Sequence, residues 1–236
     1  MLTVMTYNVG AGLADPARLV AMLRGCGADV IGLQELAPAQ GAAIAEMLRV
    51  EYPHQALHPI GIPGKGLLSR FPLAEDVLLE LHPGRPDLQA VVATPSGELT
   101  VIVAHPPPPR IGRGRMTHSL LANEQIAQIT AVATRGHPAV LLTDFNRVGW
   151  QAAYRQLRDA GLIDAFGAAG RGLGFTLPTR VSHLAYRGHP LGEVPIPPML
   201  RVDYVWHTAH FRTVQSWIGS NAGSDHLPVL AQLAWV

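Results

Sequence analysis

Eight polar residues stand where apolar runs end or begin. "TYN" closes one run with Asn8, "VIGLQE" another with Glu35, "VIVAH" another with His105, and "LLTDFN" another with Asp144 and Asn146. "RVDYVW" carries Asp203 inside a strand pattern, and "GSDHLPV" sets Asp225 and His226 just before the last one. The set holds four carboxylates, two amides and two imidazoles, and no cysteine. Carboxylate and amide oxygens are hard ligands that suit magnesium or manganese, with calcium a third cation of the same class. Histidine supplies a proton-transfer group or a phosphate donor near neutral pH. Cleaving a phosphate ester needs such groups, because the phosphoryl charge must be neutralised, a water positioned and the leaving group helped. Taken singly, each residue is ordinary. An Asn near a strand end is usually a turn residue, an Asp in a strand is often at an edge, and the chain has eleven histidines. Six strand ends carrying one chemical type are harder to assign to chance.

The elements that must position these residues are legible as short apolar runs between turn residues. Strands are predicted near 2–7, 29–33, 66–69, 75–81, 88–94, 99–104, 138–143, 202–206, 211–217 and 228–234, with "PSGE" (95–98) as a hairpin turn. Asp15-Pro16 is a helix start, an Asp cap followed by Pro at the first helical position, and Gly25 or Gly27 ends that helix. Further helices follow Pro38, cover about 117–135, and run from Trp150 to Gly161. Strands outnumber helices and several pair as hairpins. The expected fold is α/β, with two mainly antiparallel sheets packed together and helices outside. No linker divides residues 1–236, so a single domain is expected.

Composition narrows the function classes. Nearly half of the 236 residues are hydrophobic, enough for a sizeable core. The formal net charge is +1, so phosphate affinity has to come from local clusters. Cys26 is the single cysteine, which excludes an internal disulfide and a cysteine-rich zinc site; it reads as core packing. No stretch is apolar enough to span a bilayer, and the N-terminus lacks the pattern of an export leader. A cytoplasmic monomer without a protein partner is the expectation.

Two phosphate-binding look-alikes fail. In "VMTYNVGAGLADPARL", Gly10 and Gly12 lack a third glycine, and Asp15 at the helix start opposes a pyrophosphate. In "GIPGKGLLS", Gly66 follows Lys65 where a magnesium-binding hydroxyl belongs, so an ordinary surface loop is expected.

In their order and wording, "TYNVG", "VIGLQE", "GLLSRFPL", "VIVAHPP", "LLTDFN", "RVDYVW" and "SDHLPV" resemble the endonuclease/exonuclease/phosphatase superfamily over residues 3 to about 230. The resemblance implies a four-layer α/β sandwich. It implies that Asn8 and Glu35 hold a divalent metal, Glu35 directly, and that Asp225 supports it directly or through water. Asp144 would orient or deprotonate the attacking water, and Asn146 would help fix that water and the phosphate. His226, held by Asp203, would contact the phosphoryl oxygen or act in proton transfer, with His105 as a second histidine on the phosphate side. Two departures are visible. Thr143 precedes Asp144 where the family usually has glycine, and near "PDLQAVV" (86–92) Asp87 and Gln89 stand without the glutamate that partners the first histidine in pancreatic-type enzymes.

The implied activity is metal-dependent hydrolysis of phosphodiester bonds, with DNA or RNA as the leading substrate. The alternatives are a phosphatase or phosphodiesterase on a small-molecule or lipid headgroup, and a catalytically silent binding domain. Arginines 110, 113 and 115 after the Pro run, and 171, 180, 187 and 201 in the second long loop, are candidates for gripping a polyanion.

Overall fold

The computed structural model describes residues 1–112, 115–181, 185–186, 189–190 and 194–236. In chain order the first strands and helices are β1 (Leu2–Asn8), α1 (Pro16–Gly25), β2 (Val30–Gln34), α2 (Pro38–Met47), β3 (His54–His58), β4 (Lys65–Ser69), β5 (Leu73–Leu79), β6 (Asp87–Thr94) and β7 (Gly97–Ala104). A small hairpin, β8 (Arg110–Gly112) and β9 (Arg115–Thr117), precedes α3 (Leu120–Ala133), β10 (Ala139–Asp144), α4 (Ala152–Asp159), β11 (Ile163–Asp164) and α5 (Ala165–Ala169). The loop that follows carries four two-residue bridges: β12 (Arg180–Val181), β13 (Ala185–Tyr186), β14 (His189–Pro190) and β15 (Val194–Pro195). The chain closes with β16 (Asp203–His207), β17 (Phe211–Ile218) and β18 (Val229–Trp235).

Two six-stranded sheets form the body, in the orders β17-β18-β1-β2-β4-β3 and β11-β16-β10-β7-β6-β5. Each is antiparallel except at one central pair, β1 with β2 in the first sheet and β10 with β7 in the second. The expected sandwich of two mainly antiparallel sheets flanked by helices is therefore the observed fold. The expected strands are present; β3 and α5 were not foreseen. In "HQALH" only Ala56 is buried, so β3 shows no apolar alternation to read.

Side chains alternate along each strand, and here both faces are covered. Val4, Val30, Leu67, Leu88, Val101, Val140, Leu142 and Val205 fill the space between the sheets. Their neighbours Met5, Ile31, Leu33 and Leu68 turn outward under α1 and α2, with Leu19, Leu23 and Ile44 from the helices. On the second sheet Ile102, Leu141, Tyr204 and Trp206 turn outward to Ile126, Ile129 and Leu157 of α3 and α4. Truncating a residue such as Leu142 to Ala would cost about 2–5 kcal/mol.

Local signals start the helices. The Asp15 carboxylate accepts from the Arg18 N–H at 3.0 Å, and the Ser119 hydroxyl accepts from the Ala122 N–H at 3.1 Å. The sheets approach closely at Gly32, where an added Cβ would lie 2.8 Å from Leu142. Any side chain there would wedge the sandwich apart.

Candidate active site

The inward register of the strands carries directly into the site. Val4, Thr6 and Asn8 share one face of β1; Val140, Leu142 and Asp144 share one face of β10; and Asp203 and Val205 share one face of β16. Asp144 and Asp203 sit opposite each other in the β10–β16 pairing. The apolar seam between the sheets thus ends at one rim in a polar cap.

The cap is cross-linked from sheet to sheet. Asn8 Nδ2 donates to Asp144 Oδ2 at 2.9 Å. His226 Nδ1 meets Asp203 Oδ2 at 2.9 Å, and its Nε2 lies 3.7 Å from Asp144 Oδ2. His105 Nε2 lies 3.3 Å from Asp144 Oδ2 and 3.7 Å from Glu35 Oε1. One oxygen, Asp144 Oδ2, is therefore the meeting point of Asn8, His105 and His226. Asp225 lies close enough to act electrostatically on both Glu35 and His226. Beneath them Gln34 Nε2 donates to the Leu142 carbonyl at 3.1 Å, another bond between the sheets.

Glu35 and Asn146 have left-handed backbones, with φ of 55° and 49°. Such conformations in non-glycine residues cost about 1–3 kcal/mol and persist only where the surroundings impose them. Around Glu35 the imposition comes from the segment 61–64. Gly61 N–H donates to the Leu36 carbonyl at 2.9 Å, and Leu36 N–H donates to the Gly64 carbonyl at 3.3 Å. An added Cβ at Gly64 would lie 2.2 Å from the Leu36 oxygen, so only glycine fits. Asn146 is held by its N–H to Asp144 Oδ1 at 3.0 Å and by Nδ2 to the Pro106 carbonyl at 3.1 Å. That second bond, with Arg147 Nη1 to the Pro107 carbonyl at 3.3 Å, also fastens the proline run behind His105.

Burial and mutual repulsion set the protonation states. Burial pushes Asp144 up to about 7, against the pull of His226; Asp203 raises it further. Burial also raises Glu35, with the Asn8 amide and His226 opposing. For His226 burial alone favours the neutral ring, yet Asp203 and Asp144 outweigh it and the group is pushed up to about 10. Burial holds His105 well below the usual range, reinforced by the charges of Lys65, Arg85 and His226. His226 is thus held toward the imidazolium and His105 toward the neutral ring.

This environment fits a divalent cation. Glu35 and Asp144 are carboxylates that burial penalises in the ionised form, and a cation beside them reverses the penalty. Glu35 offers the more open oxygens, with its side chain 22% exposed against 2% for Asp144. Asp144, Asp203 and His226 also bring ligand atoms within 4.8 Å of one another. A cation bound by His226 Nδ1 would displace the 2.9 Å bond to Asp203, so that trio serves better as a relay. Asn8 presents its amide nitrogen to Asp144, while its oxygen accepts the Gly10 N–H at 2.9 Å.

Four buried participants were missed in the sequence, and two inferences are overturned. The segment "GIPGKGLLS" is not a mere surface loop: Lys65 is fully buried at the start of β4, in register with Gln34, which precedes Glu35. Asp87, also fully buried, accepts the His105 N–H at 3.1 Å and the Gln125 amide at 2.8 Å. It therefore fixes the backbone of His105, while the ring faces Glu35 and Asp144. Gln34 and Gln125 gave no signal, because a lone glutamine inside an apolar stretch has no distinctive spacing. Arg201 is also removed from the list of polyanion-gripping residues. Its Nη1 pairs with Asp164 at 2.6 Å and its guanidinium lies 4.7 Å from the Tyr204 ring centre. Arginines 113 and 187 lie outside the described residues. Thr143, in the place usually taken by glycine, stays in the strand with its hydroxyl buried and without a partner among the described residues; the left-handed turn comes at Asn146.

The sequence profile of the Endonuclease/Exonuclease/phosphatase family matches residues 5–226. The chain belongs to that family. Members of the endonuclease/exonuclease/phosphatase family are phosphoesterase hydrolases that depend on divalent metal. Solved structures of the family share the fold. An endonuclease/exonuclease/phosphatase from Beutenbergia cavernae is 22% identical with a TM-score of 0.72, covering 99% of this chain and 71% of its own. TDP2 from D. rerio, complexed with a single-strand DNA product, is 17% identical with a TM-score of 0.74, covering 99% of this chain and 98% of its own. The 3′ phosphatase NExo from Neisseria, bound to a product DNA hairpin, is 18% identical with a TM-score of 0.71 and full coverage of both chains. No curated protein matches. Among the described residues no helix is long and apolar enough to cross a membrane.

Proposed function

We propose that this chain hydrolyses phosphate esters of nucleic acid, phosphodiester bonds included, by in-line attack of water with magnesium or manganese bound. The observation that carries the reading is the convergence of Asn8, His105 and His226 on Asp144 Oδ2, beside Glu35. Glu35 would hold the cation, with the nearby charge of Asp225 in support. When bound, the cation neutralises phosphoryl oxygens and the leaving group.

The chain's own residues do the rest. Asp144, its Oδ1 fixed by the Asn146 N–H, accepts the proton of the attacking water through Oδ2. Asn146 spends its amide N–H on Pro106, which leaves the amide oxygen to position that water. His226 is kept charged and oriented by Asp203, and Nε2–H donates to a phosphoryl oxygen where negative charge builds up. His105 stands on the phosphate side, its ring beside Asp144 and Glu35. Asn8 keeps Asp144 from turning away. Residues 1–236 act as one unit in this reading.

Nucleic acid as the substrate is supported by the DNA products carried by TDP2 and NExo, two proteins of the same fold. The test is a panel of plasmid, single-stranded DNA, abasic duplex, bis-p-nitrophenyl phosphate and sphingomyelin, with magnesium or manganese. Cleavage of DNA, lost about 100-fold or more in His226→Ala, is the expected result. Cleavage of sphingomyelin alone would replace nucleic acid by a lipid headgroup. Hydrolysis of nothing, with no metal binding by calorimetry, would leave a silent binding domain.

A further inference from the structure

Two cations on the His105 side of the site have no part in the mechanism above. Arg85 lies in the turn between β5 and β6, and its backbone is anchored. Its N–H donates to the His82 carbonyl at 3.0 Å, Pro86 follows, and Asp87 is then clamped to the His105 N–H at 3.1 Å and to Gln125 at 2.8 Å. The guanidinium is thus carried two residues from a direct bond to the His105 backbone. Its charge is felt at Glu35, Lys65 and His105. Arg85 Nη1 is shut off from water and has no hydrogen-bond partner among the described residues. An unmet buried donor is costly, more so when it is charged. Lys65 is fully buried, and among the described residues its three donors have one hydrogen bond, to the Pro63 carbonyl at 2.8 Å. Burial lowers Lys65 to about 8, with Asp87, Glu35 and Asp144 working to keep it charged.

We propose that Arg85, backed by the charge of Lys65, is the receptor for a second non-bridging phosphoryl oxygen, and that it selects esters whose phosphate is terminal and dianionic. The inference rests on the phosphoesterase reading and deepens it. A guanidinium offers two parallel N–H groups that match two phosphoryl oxygens. A bridging diester carries one negative charge and a terminal monoester carries up to two. An added fixed cation therefore favours the monoester. In nucleic acid this is a chain end bearing phosphate.

The experiment compares kcat/KM for p-nitrophenyl phosphate and bis-p-nitrophenyl phosphate in wild type, Arg85→Gln, Arg85→Lys and Lys65→Met. Magnesium is present throughout, and inorganic phosphate is titrated calorimetrically into each protein. Loss of a hydrogen bond to a charged group predicts that Arg85→Gln lowers monoester kcat/KM about 10–100-fold and weakens phosphate binding to a similar degree. The diester changes by less than about 3-fold, Arg85→Lys recovers part of the monoester loss, and Lys65→Met reproduces a smaller loss of the same selectivity. Equal losses on both esters, or phosphate binding indifferent to Arg85, would overturn the proposal. Wild type that hydrolyses neither ester would instead sink the phosphoesterase reading, while the phosphate titration still decides the role of Arg85.

Discussion

Replacing Asp203 by Asn tests the relay most directly. The substitution keeps the shape of a fully buried side chain and removes its charge. His226 Nδ1 lies 2.9 Å from Asp203 Oδ2, the geometry of a charge-assisted hydrogen bond. Such a bond contributes about 1.5–3 kcal/mol, which corresponds to about 10–100-fold in rate at roughly 1.4 kcal/mol per decade. The same carboxylate is the foremost influence opposing burial in pushing His226 up to about 10. Without it, burial dominates and His226 loses its proton in the neutral range. The assay is the pH profile of kcat on bis-p-nitrophenyl phosphate with manganese, together with the imidazole nitrogen shifts of His226 by NMR. Wild type keeps the imidazolium through neutral pH; Asp203→Asn loses activity as pH rises through neutrality. Stability follows with the same sign. A raised His pKa stabilises the fold fully below about 6.5, the unfolded value, and that contribution vanishes as pH climbs through about 10. The stability gap between the two proteins should be widest in mild acid and narrow toward pH 10. An alkaline limb that stays in place in Asp203→Asn would refute the relay.

Other perturbations address the remaining parts. Glu35→Gln should weaken magnesium or manganese binding at least about tenfold by calorimetry with little change in melting temperature, since it removes ligand charge from a half-open side chain; unchanged affinity would remove Glu35 from the ligand set. Gly64→Ala forces a carbon against the Leu36 oxygen, and a loss of about 1–3 kcal/mol in denaturant unfolding is expected, with weakened metal binding through the displaced Glu35 turn. Chelation with EDTA should abolish hydrolysis and lower the melting temperature, more at pH 8 than at pH 5. In the metal-free protein, Asp144 (raised to about 7) is forced to ionise at a penalty as pH rises, and the site carboxylates then repel one another. A melting curve indifferent to chelator at pH 8 would contradict that account.

Much of this was legible in the residues. Asn8, His105, Asp144 and Asp203 end or begin strands whose apolar alternation is clear, and parity alone places three of them, Asn8, Asp144 and Asp203, on the face between the sheets. The helix starts at Asp15 and Ser119 differ in this respect: Asp15 was evident from the proline that follows, while Ser119 has no such marker. What could not be read is what depends on contact between distant segments. The pairing of Gly61 and Gly64 with Leu36 turns an apparent surface loop into the brace for Glu35. Burial of Lys65 follows from β3 covering the edge of β4, and β3 itself has no alternation to announce it. Asp87 stands in the stretch where the resemblance leads one to expect a glutamate, but it accepts the backbone N–H of His105 instead of pairing with the ring. Arg201 looked like a free grip for polyanions because its partner Asp164 lies 37 residues away.

The seam between the sheets has a consequence for how this molecule fails. Asn8 with Asp144, Asp203 with His226, and Glu35 with His105 each draw one member from either sheet, so neither half owns a working set. The contacts behave like teeth of a closed zip fastener whose spacing is set by the close approach at Gly32 below them. Partial loosening by mild denaturant should therefore silence turnover while both halves still keep their strands, making hydrolysis an early alarm for a parting sandwich.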